Sequence, residues 1–297
     1  MNEDKGYSIL RDMDLKQFNS MRIQANAKTL YIPYTRDGLI NVCRKLSNNL
    51  NTIWIGKGSN VIFQKENYDT PIVSTIMFND IQYKEGLIHV SCGMSLSELA
   101  WYALAKGISG YEFLEDIPGS VGGALYMNAG TYDDTISDLV DSVEVYDRKT
   151  DKCYILYANE LNSYWGKRKS YFSNGDYTII SCCMRVDSFE KPSIIIDKML
   201  EIKKRRYEKQ PREFPSAGSV FKRPYVNGEP RYVWKLLSET GLRGFRVGDA
   251  QVSEKHPGFI VNVGNCSGSE LLALLNICKN KVLEKYNIHL EEEWKIV

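Results

Sequence analysis

The sequence lacks the patterns that mark membrane, secreted and nucleic-acid-binding proteins. No apolar run approaches membrane-spanning length, and residues 1–20 are too polar for the hydrophobic region of a secretory signal. The formal net charge of the 297 residues is only +1, so no global field attracts nucleic acid or anionic lipid. We therefore expect a cytoplasmic protein, with no nucleic-acid, membrane or obligate protein partner, that binds any anionic ligand through local groups.

The patterns of metal sites and disulfide frameworks are also missing. The seven cysteines are odd in number and scattered, and none has C-x-x-C spacing. The adjacent Cys182 and Cys183 lie in the alternating run TIISCCMRV, which predicts thiols on a buried strand. We expect no disulfide framework and no metal site, as is typical of a reducing compartment.

The first third of the chain alternates between helix and strand patterns. DGLINVCRKLSNN (37–49) has apolar residues near helical spacing, whereas TIWIG (52–56) and NVIF (60–63) are typical of short strands. We predict a small α/β lobe over residues 1–70.

Strand patterns dominate the next part of the chain. A single helix is predicted at 96–107, closed by a glycine. This mixture predicts an α+β lobe over 71–206. The predicted strands lie in PIVSTI, GLIHVSCG, SVEVYDR, KCYILY and YTIISCCMRV.

A charged helix at 195–210 leads into a third lobe, predicted over 207–286. This lobe ends in a long helix whose start has a capping box, formed by Ser267 and Glu270. The closing segment 287–297 alternates as a strand does, and we expect it to join the second lobe.

Two glycine-rich stretches are candidates for binding phosphate. GKGSN (56–60) lies between two predicted strands, where converging backbone N–H groups suit an anion, although a tight turn explains it equally well. DIPGSVGGALYMNAG (116–130) contains three glycines next to Ser120, which indicates that something bulky approaches the backbone closely. Two such loops are compatible with a cofactor that carries a diphosphate.

The stretch PSAGSVFK (215–222) contains a serine without an obvious base, because Ser219 follows a flexible Ala-Gly step. Such a serine can end a strand, act as a nucleophile or donate a proton. The local residues leave these alternatives open.

The order of the motifs resembles that of the UDP-N-acetylenolpyruvoylglucosamine reductase family. IGKGSN, GYEFLEDIPGSVGGALYMNAGTY, PSAGSVFK, GDAQVSEKHPGFIVN and LEEEW follow one another as in that family, from about residue 19 to the C-terminus. The resemblance implies an α+β fold, with FAD-binding lobes of the vanillyl-alcohol-oxidase (PCMH) type at 1–70 and 71–206 and an α/β substrate-binding lobe at 207–286. It implies an enzyme that uses NADPH and FAD to reduce UDP-N-acetylglucosamine enolpyruvate to UDP-N-acetylmuramate, in peptidoglycan precursor synthesis.

The resemblance also implies roles for individual residues. Ser219 is expected to protonate the carbon that bears the ether oxygen, after hydride from the flavin has reached the distal vinyl carbon. Arg168 and Glu293 are expected to stabilise the enolate, and all three side chains to meet over the flavin ring. The local sequence does not distinguish Glu293 from Glu291 and Glu292. We choose Glu293 because it stands just before the final apolar residues, as in the motif of the family. The expected FAD contacts are Gly56, Gly58, Ser59, Asn60, Gly119, Ser120, Gly122, Gly123 and Asn128. The expected substrate contacts are Lys222, Arg223, Gln251, Lys255 and His256.

The match departs from the family pattern at several positions. Lys167 stands where the family usually has a tyrosine, for which Tyr164 or Tyr171 is a candidate substitute, and Arg223 stands where asparagine is usual. The segment between Arg168 and Ser219 is too short for the extra tyrosine loop of the longer subtype, so the chain resembles the shorter one. Two alternatives remain open: an FAD-dependent oxidase of another alcohol or sugar, and a flavin-binding paralogue with weakened catalysis.

Overall fold

A computed structural model describes residues 5–49, 51–131 and 134–297 of the chain. The contacts of these residues define two compact units. Unit 1 consists of the described residues up to Arg11 together with Thr29–Lys57 and Thr70–Lys204, and unit 2 consists of Asp12–Lys28, Gly58–Asp69 and Arg205–Val297. The division into three lobes at 1–70, 71–206 and 207–286 stays a prediction.

The described residues form α-helices, short 3-10 helices and many short strands. The α-helices are α1 Arg36–Lys45, α2 Leu96–Ala105, α3 Val121–Met127, α4 Ala158–Leu161, α5 Pro192–Lys209, α6 Val233–Glu239 and α7 Gly268–Tyr286. The 3-10 helices are Lys16–Phe18, Glu112–Leu114, Ile136–Leu139, Asn162–Tyr164 and Tyr171–Asn174.

Most of the strands are short. In chain order the first are β1 Tyr7–Asp14, β2 Asn26–Pro33, β3 Ile53–Ile55, β4 Val61–Ile62, β5 Asn67–Tyr68, β6 Ile72–Ser74, β7 Ile81–Lys84, β8 Leu87–Ser91 and β9 Ile108–Ser109. The middle ones are β10 Gly130–Thr131, β11 Asp134–Thr135, β12 Val140–Asp147, β13 Lys152–Tyr157, β14 Tyr177–Arg185 and β15 Ser188–Phe189. The last are β16 Ser216–Ser219, β17 Tyr225–Val226, β18 Glu229–Pro230, β19 Arg246–Val247, β20 Ala250–Val252, β21 Phe259–Asn262 and β22 Lys295–Ile296.

Unit 1 is built around two sheets. β6 pairs in parallel with β2 and with β3, and helix α1 covers this group because its apolar residues face inward. A second, antiparallel sheet has the order β13-β12-β14-β8-β7, and α2 packs into its core. The elements predicted at 37–49, 52–56 and 96–107 are confirmed as α1, β3 and α2.

Strand β14 shows why its sequence alternates. Its residues are in turn half-buried and fully buried, so Cys182 points into the core while Cys183 lies on the less covered face. The prediction of a strand thiol is confirmed for both residues, but only Cys182 is buried.

Unit 2 is built around the antiparallel sheet β16-β21-β20-β19 and helix α7. The predicted capping box is present, because Ser267 accepts a hydrogen bond from the Glu270 N–H and the Glu270 carboxylate accepts one from the Ser267 N–H. The left-handed Asn287 ends the helix.

The prediction of one continuous strand over 287–297 is wrong. Only β22 is a strand, and it pairs in parallel with β4. The alternation itself is present, since Leu290 and Trp294 are buried and His289 is exposed. Over 288–294 the backbone pairs, among the described residues, only with residues 220–222, through a single bridge, and this is too short to form a strand.

Two features of the described part of the chain bear on function class. None of its helices is both long and apolar enough to cross a bilayer. Within the same residues, no group of three or more His, Cys, Asp or Glu side chains is arranged to hold a metal ion.

The capping box generates a stability prediction. Ser267→Ala removes the side-chain acceptor at the start of α7, so we expect the free energy of unfolding in urea to fall by about 1 kcal/mol. The matched control is Ser193→Ala in the first turn of α5, where the described structure shows an exposed serine without a hydrogen-bond partner; it should change stability by less than about 0.5 kcal/mol. Equal losses for both variants would contradict the assignment of the cap.

Candidate active site

The two glycine-rich stretches meet in unit 1. A Cβ placed on Gly56 would lie 2.0 Å from Ser120 Oγ, so only glycine fits where the first loop leaves β3. Ser120 is itself fully buried and caps α3 by accepting a hydrogen bond from the Gly123 N–H. Gly56 and Ser120, which are both expected to contact the FAD diphosphate, therefore lie next to each other.

The first N–H groups of α3 are used inside the protein. Val121 donates to the Met94 carbonyl and Gly122 to the Cys92 carbonyl, both at 2.8 Å. The Gly119 and Ser120 N–H groups, by contrast, have no acceptor among the described residues. These two groups, rather than the helix start itself, are the donors that unit 1 has available for a phosphate oxygen.

The rest of the first loop belongs to unit 2. Gly58 has a φ of +62°, and a Cβ there would lie 2.0 Å from the Phe18 carbonyl oxygen, so this glycine is required for packing. Ser59 is half-buried, and its N–H has no acceptor in the described structure. Asn60 is already bound, because its amide donates to the Glu293 carbonyl at 3.0 Å. Among the described residues of this part of unit 2, the Ser59 N–H is therefore the unpaired donor that suits a phosphate oxygen.

Arg168 lies at the tip of a tight hairpin in unit 1. Gly166 and Lys169 exchange two backbone hydrogen bonds, of 3.0 and 3.1 Å, so Lys167 and Arg168 are the two turn residues. The φ of Arg168 is +58°, a left-handed conformation that costs a non-glycine residue roughly 1–2 kcal/mol. The turn position accounts for this conformation, which eight other non-glycine residues of the described chain also adopt.

Both ends of this hairpin are anchored on the C-terminal end of α3. The Asn128 side chain donates to the Gly166 carbonyl at 3.1 Å, and the Ser170 hydroxyl donates to the Tyr126 carbonyl at 2.7 Å. Asn128 also accepts a hydrogen bond from the Ser137 N–H through its side-chain oxygen, and it is buried. The observed role of Asn128 is therefore to position the hairpin, whereas its expected contact with the FAD diphosphate stays a prediction.

The two tyrosines suggested as substitutes at this hairpin differ in exposure. Tyr171 stacks on Tyr177, whose hydroxyl accepts a hydrogen bond from that of Tyr171 at 3.5 Å. Tyr164 packs edge-on against Tyr171, with ring centroids 4.8 Å apart, and remains half exposed. Of the two, Tyr164 has the more accessible hydroxyl.

Ser219 lies at the end of β16 in unit 2, where its side chain is exposed. It pairs with Phe259 of β21, while Ser216 pairs with Val261, so the register shifts between them. This irregularity contains Gly218, whose φ is +79°. The flexible Ala-Gly step of the sequence is therefore a bulge that presents the next residue at the surface.

Backbone hydrogen bonds hold Glu293 next to the segment that follows Ser219. The Glu293 N–H donates to the Val220 carbonyl at 2.8 Å, and the Lys222 N–H donates to the Glu291 carbonyl at the same distance. Phe221 and Glu292 form an isolated antiparallel bridge between these two bonds. The structure thus places Ser219 and Glu293 on neighbouring backbone segments of unit 2.

The expected substrate contacts have protein partners of their own. The Lys222 ammonium forms an ion pair with Glu291, and the Gln251 amide donates to the Gly244 carbonyl. The Arg223 guanidinium lies over the Tyr232 ring, 4.6 Å from its centroid. These residues lie in unit 2 with Ser219, and their contacts with substrate stay predictions.

Lys255 has a structural role at a helix end. Its ammonium donates to the Tyr207 carbonyl in the last turn of α5 at 2.7 Å and lies over the Tyr207 ring. A cation is favourable there because the C-terminal carbonyls of a helix carry partial negative charge. A role for Lys255 in binding substrate stays a prediction.

His256 supports the strand that carries Ser219. Its Nδ1 accepts a hydrogen bond from the Gly258 N–H, and the Gly258 carbonyl accepts one from the Val220 N–H at 3.0 Å. Burial lowers the pKa of His256 below its ordinary value, which keeps the ring neutral and Nδ1 an acceptor. The observed role of His256 is therefore structural, and its expected contact with substrate stays a prediction.

The sequence pattern did not identify Trp294 as a residue of this site. The indole N–H donates to the Ala217 carbonyl at 2.8 Å, two residues before Ser219. The pattern places Trp294 on the apolar face of the closing segment, and it does not identify the acceptor. The N–H of a buried indole usually has a hydrogen-bond partner, and this general preference is the only signal that the sequence offers.

Comparisons with known proteins agree with this arrangement of motifs. The family model described as UDP-N-acetylenolpyruvoylglucosamine reductase, C-terminal domain, matches residues 210–297, and that described as FAD binding domain matches residues 27–152. The UDP-N-acetylenolpyruvoylglucosamine reductase of Caldicellulosiruptor bescii is 34% identical over 297 residues, which covers 99% of this chain and 92% of the relative. That of Thermotoga petrophila is 39% identical over 280 residues, covering 93% of this chain and 94% of the relative.

A solved structure shows the same fold. The crystal structure of the UDP-N-acetylenolpyruvylglucosamine reductase from Thermus caldophilus matches with a TM-score of 0.77 and 29% identity, and 98% of each chain is covered. Together with the FAD-binding domain match, this confirms the expected α+β fold with FAD-binding lobes of the vanillyl-alcohol-oxidase type.

The adjacent glycines of α3 allow a paired stability test. A Cβ at position 122 would lie 2.9 Å from the Cys92 Cβ, so Gly122→Ala should lower the free energy of unfolding by roughly 1–3 kcal/mol. A Cβ at position 123 would make an ordinary contact of 3.5 Å, so Gly123→Ala should be neutral or stabilising by up to about 1 kcal/mol. Urea unfolding of the flavin-free protein measures both, and a larger loss for Gly123→Ala would contradict this packing.

The lowered pKa of His256 predicts a pH dependence of stability. Because the unfolded histidine titrates near pH ~6.5, the unfolded state takes up a proton first as the pH falls, and the folded state loses stability there. His256→Asn keeps a side-chain acceptor for the N–H two residues on but does not titrate. We expect the wild type to lose stability relative to this variant as the pH falls below ~6.5, measured by urea unfolding at several pH values. A stability difference that is independent of pH would contradict this.

Proposed function

The chain belongs to the UDP-N-acetylenolpyruvoylglucosamine reductase family, and we propose that Arg168, Ser219 and Glu293 are its catalytic residues. The protein reduces UDP-N-acetylglucosamine enolpyruvate to UDP-N-acetylmuramate in peptidoglycan synthesis, with NADPH as reductant and FAD as cofactor. Each turnover consumes NADPH and a proton and releases NADP⁺. The observation that supports the residue assignment best is the backbone pairing that brings Ser219 and Glu293 to neighbouring segments.

FAD, when bound and reduced by NADPH, supplies hydride to the carbon–carbon double bond of the enolpyruvyl group. The chain contributes the binding groups for its diphosphate. In unit 1 these are the unpaired N–H groups of Gly119 and Ser120, and in unit 2 the N–H group of Ser59. Gly56 allows the close approach of Ser120 to this loop, because a Cβ there would lie 2.0 Å from Ser120 Oγ.

Ser219 donates the proton in this proposal. Its exposed hydroxyl stands on the bulge at the end of β16, and its proton goes to the carbon that bears the ether oxygen. A serine hydroxyl is a weak acid, so the oxygen must recover a proton from water or from a neighbouring cation after each turnover.

Arg168 and Glu293 act on the carboxylate of the substrate. Reduction pushes negative charge onto this group, and a guanidinium fork remains charged at any working pH and matches its two oxygens. Glu293 adds a hydrogen bond to the same group.

The two half-reactions separate the role of Ser219 from a role in folding. Ser219→Ala should leave reduction of the flavin by NADPH nearly unchanged, because that step needs no proton at the substrate carbon. The same variant should slow oxidation of the reduced enzyme by UDP-N-acetylglucosamine enolpyruvate by ~10²–10⁴-fold. Stopped-flow absorbance of the flavin measures both steps.

The matched control is Ser216→Ala, three residues earlier on the same strand, which should behave as wild type in both steps. An equal loss in both half-reactions for Ser219→Ala would show that the residue is structural. Oxidation of NADPH without formation of UDP-N-acetylmuramate by the wild type would reject the proposed function as a whole.

A further inference from the structure

We propose that Trp294 is a positioning residue that fixes Glu293 and Ser219 relative to each other. The proposal rests on the proposed function of these two residues and adds a third residue to the same site. Its structural basis is the bulge in β16, where the pairing with β21 is irregular.

The bulge makes the strand ladder irregular. Between Ser216 and Ser219, two residues of β16 face a single residue of β21. Gly218 has a left-handed backbone, which adds freedom directly before the hydroxyl. The carbonyl of Ala217, which is buried, would have no partner if only the sheet were considered.

Trp294 supplies that partner. Its indole N–H donates to the Ala217 carbonyl at 2.8 Å, and the side chain is only 5% exposed. The preceding residue, Glu293, donates its own N–H to the Val220 carbonyl at 2.8 Å. Two hydrogen bonds from consecutive residues thus bracket Ser219, one on either side of it along the strand.

Asn60 holds the same segment from its other side. Its side-chain amide donates to the Glu293 carbonyl at 3.0 Å, and its backbone carbonyl accepts a hydrogen bond from the Lys295 N–H at 2.9 Å. Both backbone groups of Glu293 are therefore bonded. The side chain of Glu293 is consequently attached to a backbone that cannot shift without breaking these bonds.

This arrangement gives Trp294 an effect on the reaction without contact to substrate. Proton donation by Ser219 and hydrogen bonding by Glu293 must occur on one bound substrate, and small displacements from such geometry cost up to about a hundredfold in rate. Loss of the indole N–H frees the bulge, and the hydroxyl then samples positions from which it cannot donate.

The variant that tests this is Trp294→Phe, which keeps a large aromatic side chain and removes the N–H. We expect oxidation of the reduced enzyme by UDP-N-acetylglucosamine enolpyruvate to slow roughly 10- to 100-fold. Flavin content, flavin reduction by NADPH and the KM for the enolpyruvyl substrate should stay within about threefold of wild type. The solvent deuterium isotope effect on substrate reduction should rise, because proton transfer from the misplaced Ser219 hydroxyl becomes rate-limiting.

The matched control is Trp54→Phe. The indole N–H of Trp54 is buried and has no hydrogen-bond partner in the described structure, so this variant removes the same group where it donates to nothing. It should leave both half-reactions unchanged. If Trp294→Phe slows both half-reactions by the same factor, the residue has a purely structural role and the proposal is overturned. The proposal is also overturned if Trp294→Phe behaves as wild type in both half-reactions.

Amide hydrogen exchange gives a readout that does not depend on activity. In Trp294→Phe, peptides covering 215–222 and 288–297 should exchange faster than in the wild type, while peptides of α7 remain unchanged. Unchanged exchange in both peptides would overturn the proposal. If Ser219→Ala reduces substrate as fast as wild type, the proposed function fails, whatever Trp294→Phe shows in the exchange experiment.

Asn60→Ala provides a second variant if Trp294→Phe does not fold. The proposal expects slower substrate reduction and faster amide exchange at 288–297, because this variant releases the Glu293 carbonyl. Normal exchange at 288–297 would count against the proposal, whatever the FAD content of the variant.

Discussion

The backbone hydrogen bond from the Glu293 N–H to the Val220 carbonyl holds the segment that carries Glu293 beside the segment that carries Ser219. It is one of two bonds of a short antiparallel pairing that begins where β16 ends, and the other is donated by the Lys222 N–H to the Glu291 carbonyl. Together these bonds fix the register of the closing segment against the strand of Ser219. The roles proposed for the bulge at Gly218 and for the indole of Trp294 depend on this register.

Unit 1 depends in a similar way on one short helix. The N-terminal end of α3 packs against Cys92, which requires Gly122, and the cap of the helix lies against Gly56. Its C-terminal end holds the Arg168 hairpin through Asn128. Helix propensity does not explain this helix, since two glycines stand in its first turn. Its packing and its cap stabilise it, and the sequence is selected for close approach rather than for helix formation.

Local patterns predicted the local structure well. The capping box of Ser267 and Glu270, the alternation of β14 and the helical spacing of α1 and α2 each depend on neighbouring residues, and each is present. The continuous strand expected over 287–297 is absent because the segment pairs with 220–222 through a single bridge and then with β4, so no one strand runs along its whole length. The links made by Asn60 and Trp294 join residues far apart in sequence, and no local pattern encodes an acceptor at that distance. The roles of Ser219, Arg168 and Glu293 came from the resemblance, because their types and spacing alone fit several kinds of site.

A double-mutant cycle tests most directly whether Ser219 and Glu293 act as one unit. The rate of substrate reduction by the reduced flavin would be measured for wild type, Ser219→Ala, Glu293→Gln and the double variant. Groups that act on one substrate in one step are strongly non-additive, so the double variant should be little slower than the slower single variant. Rate losses that multiply in the double variant would show that the two residues act independently, and would contradict their joint action on one substrate.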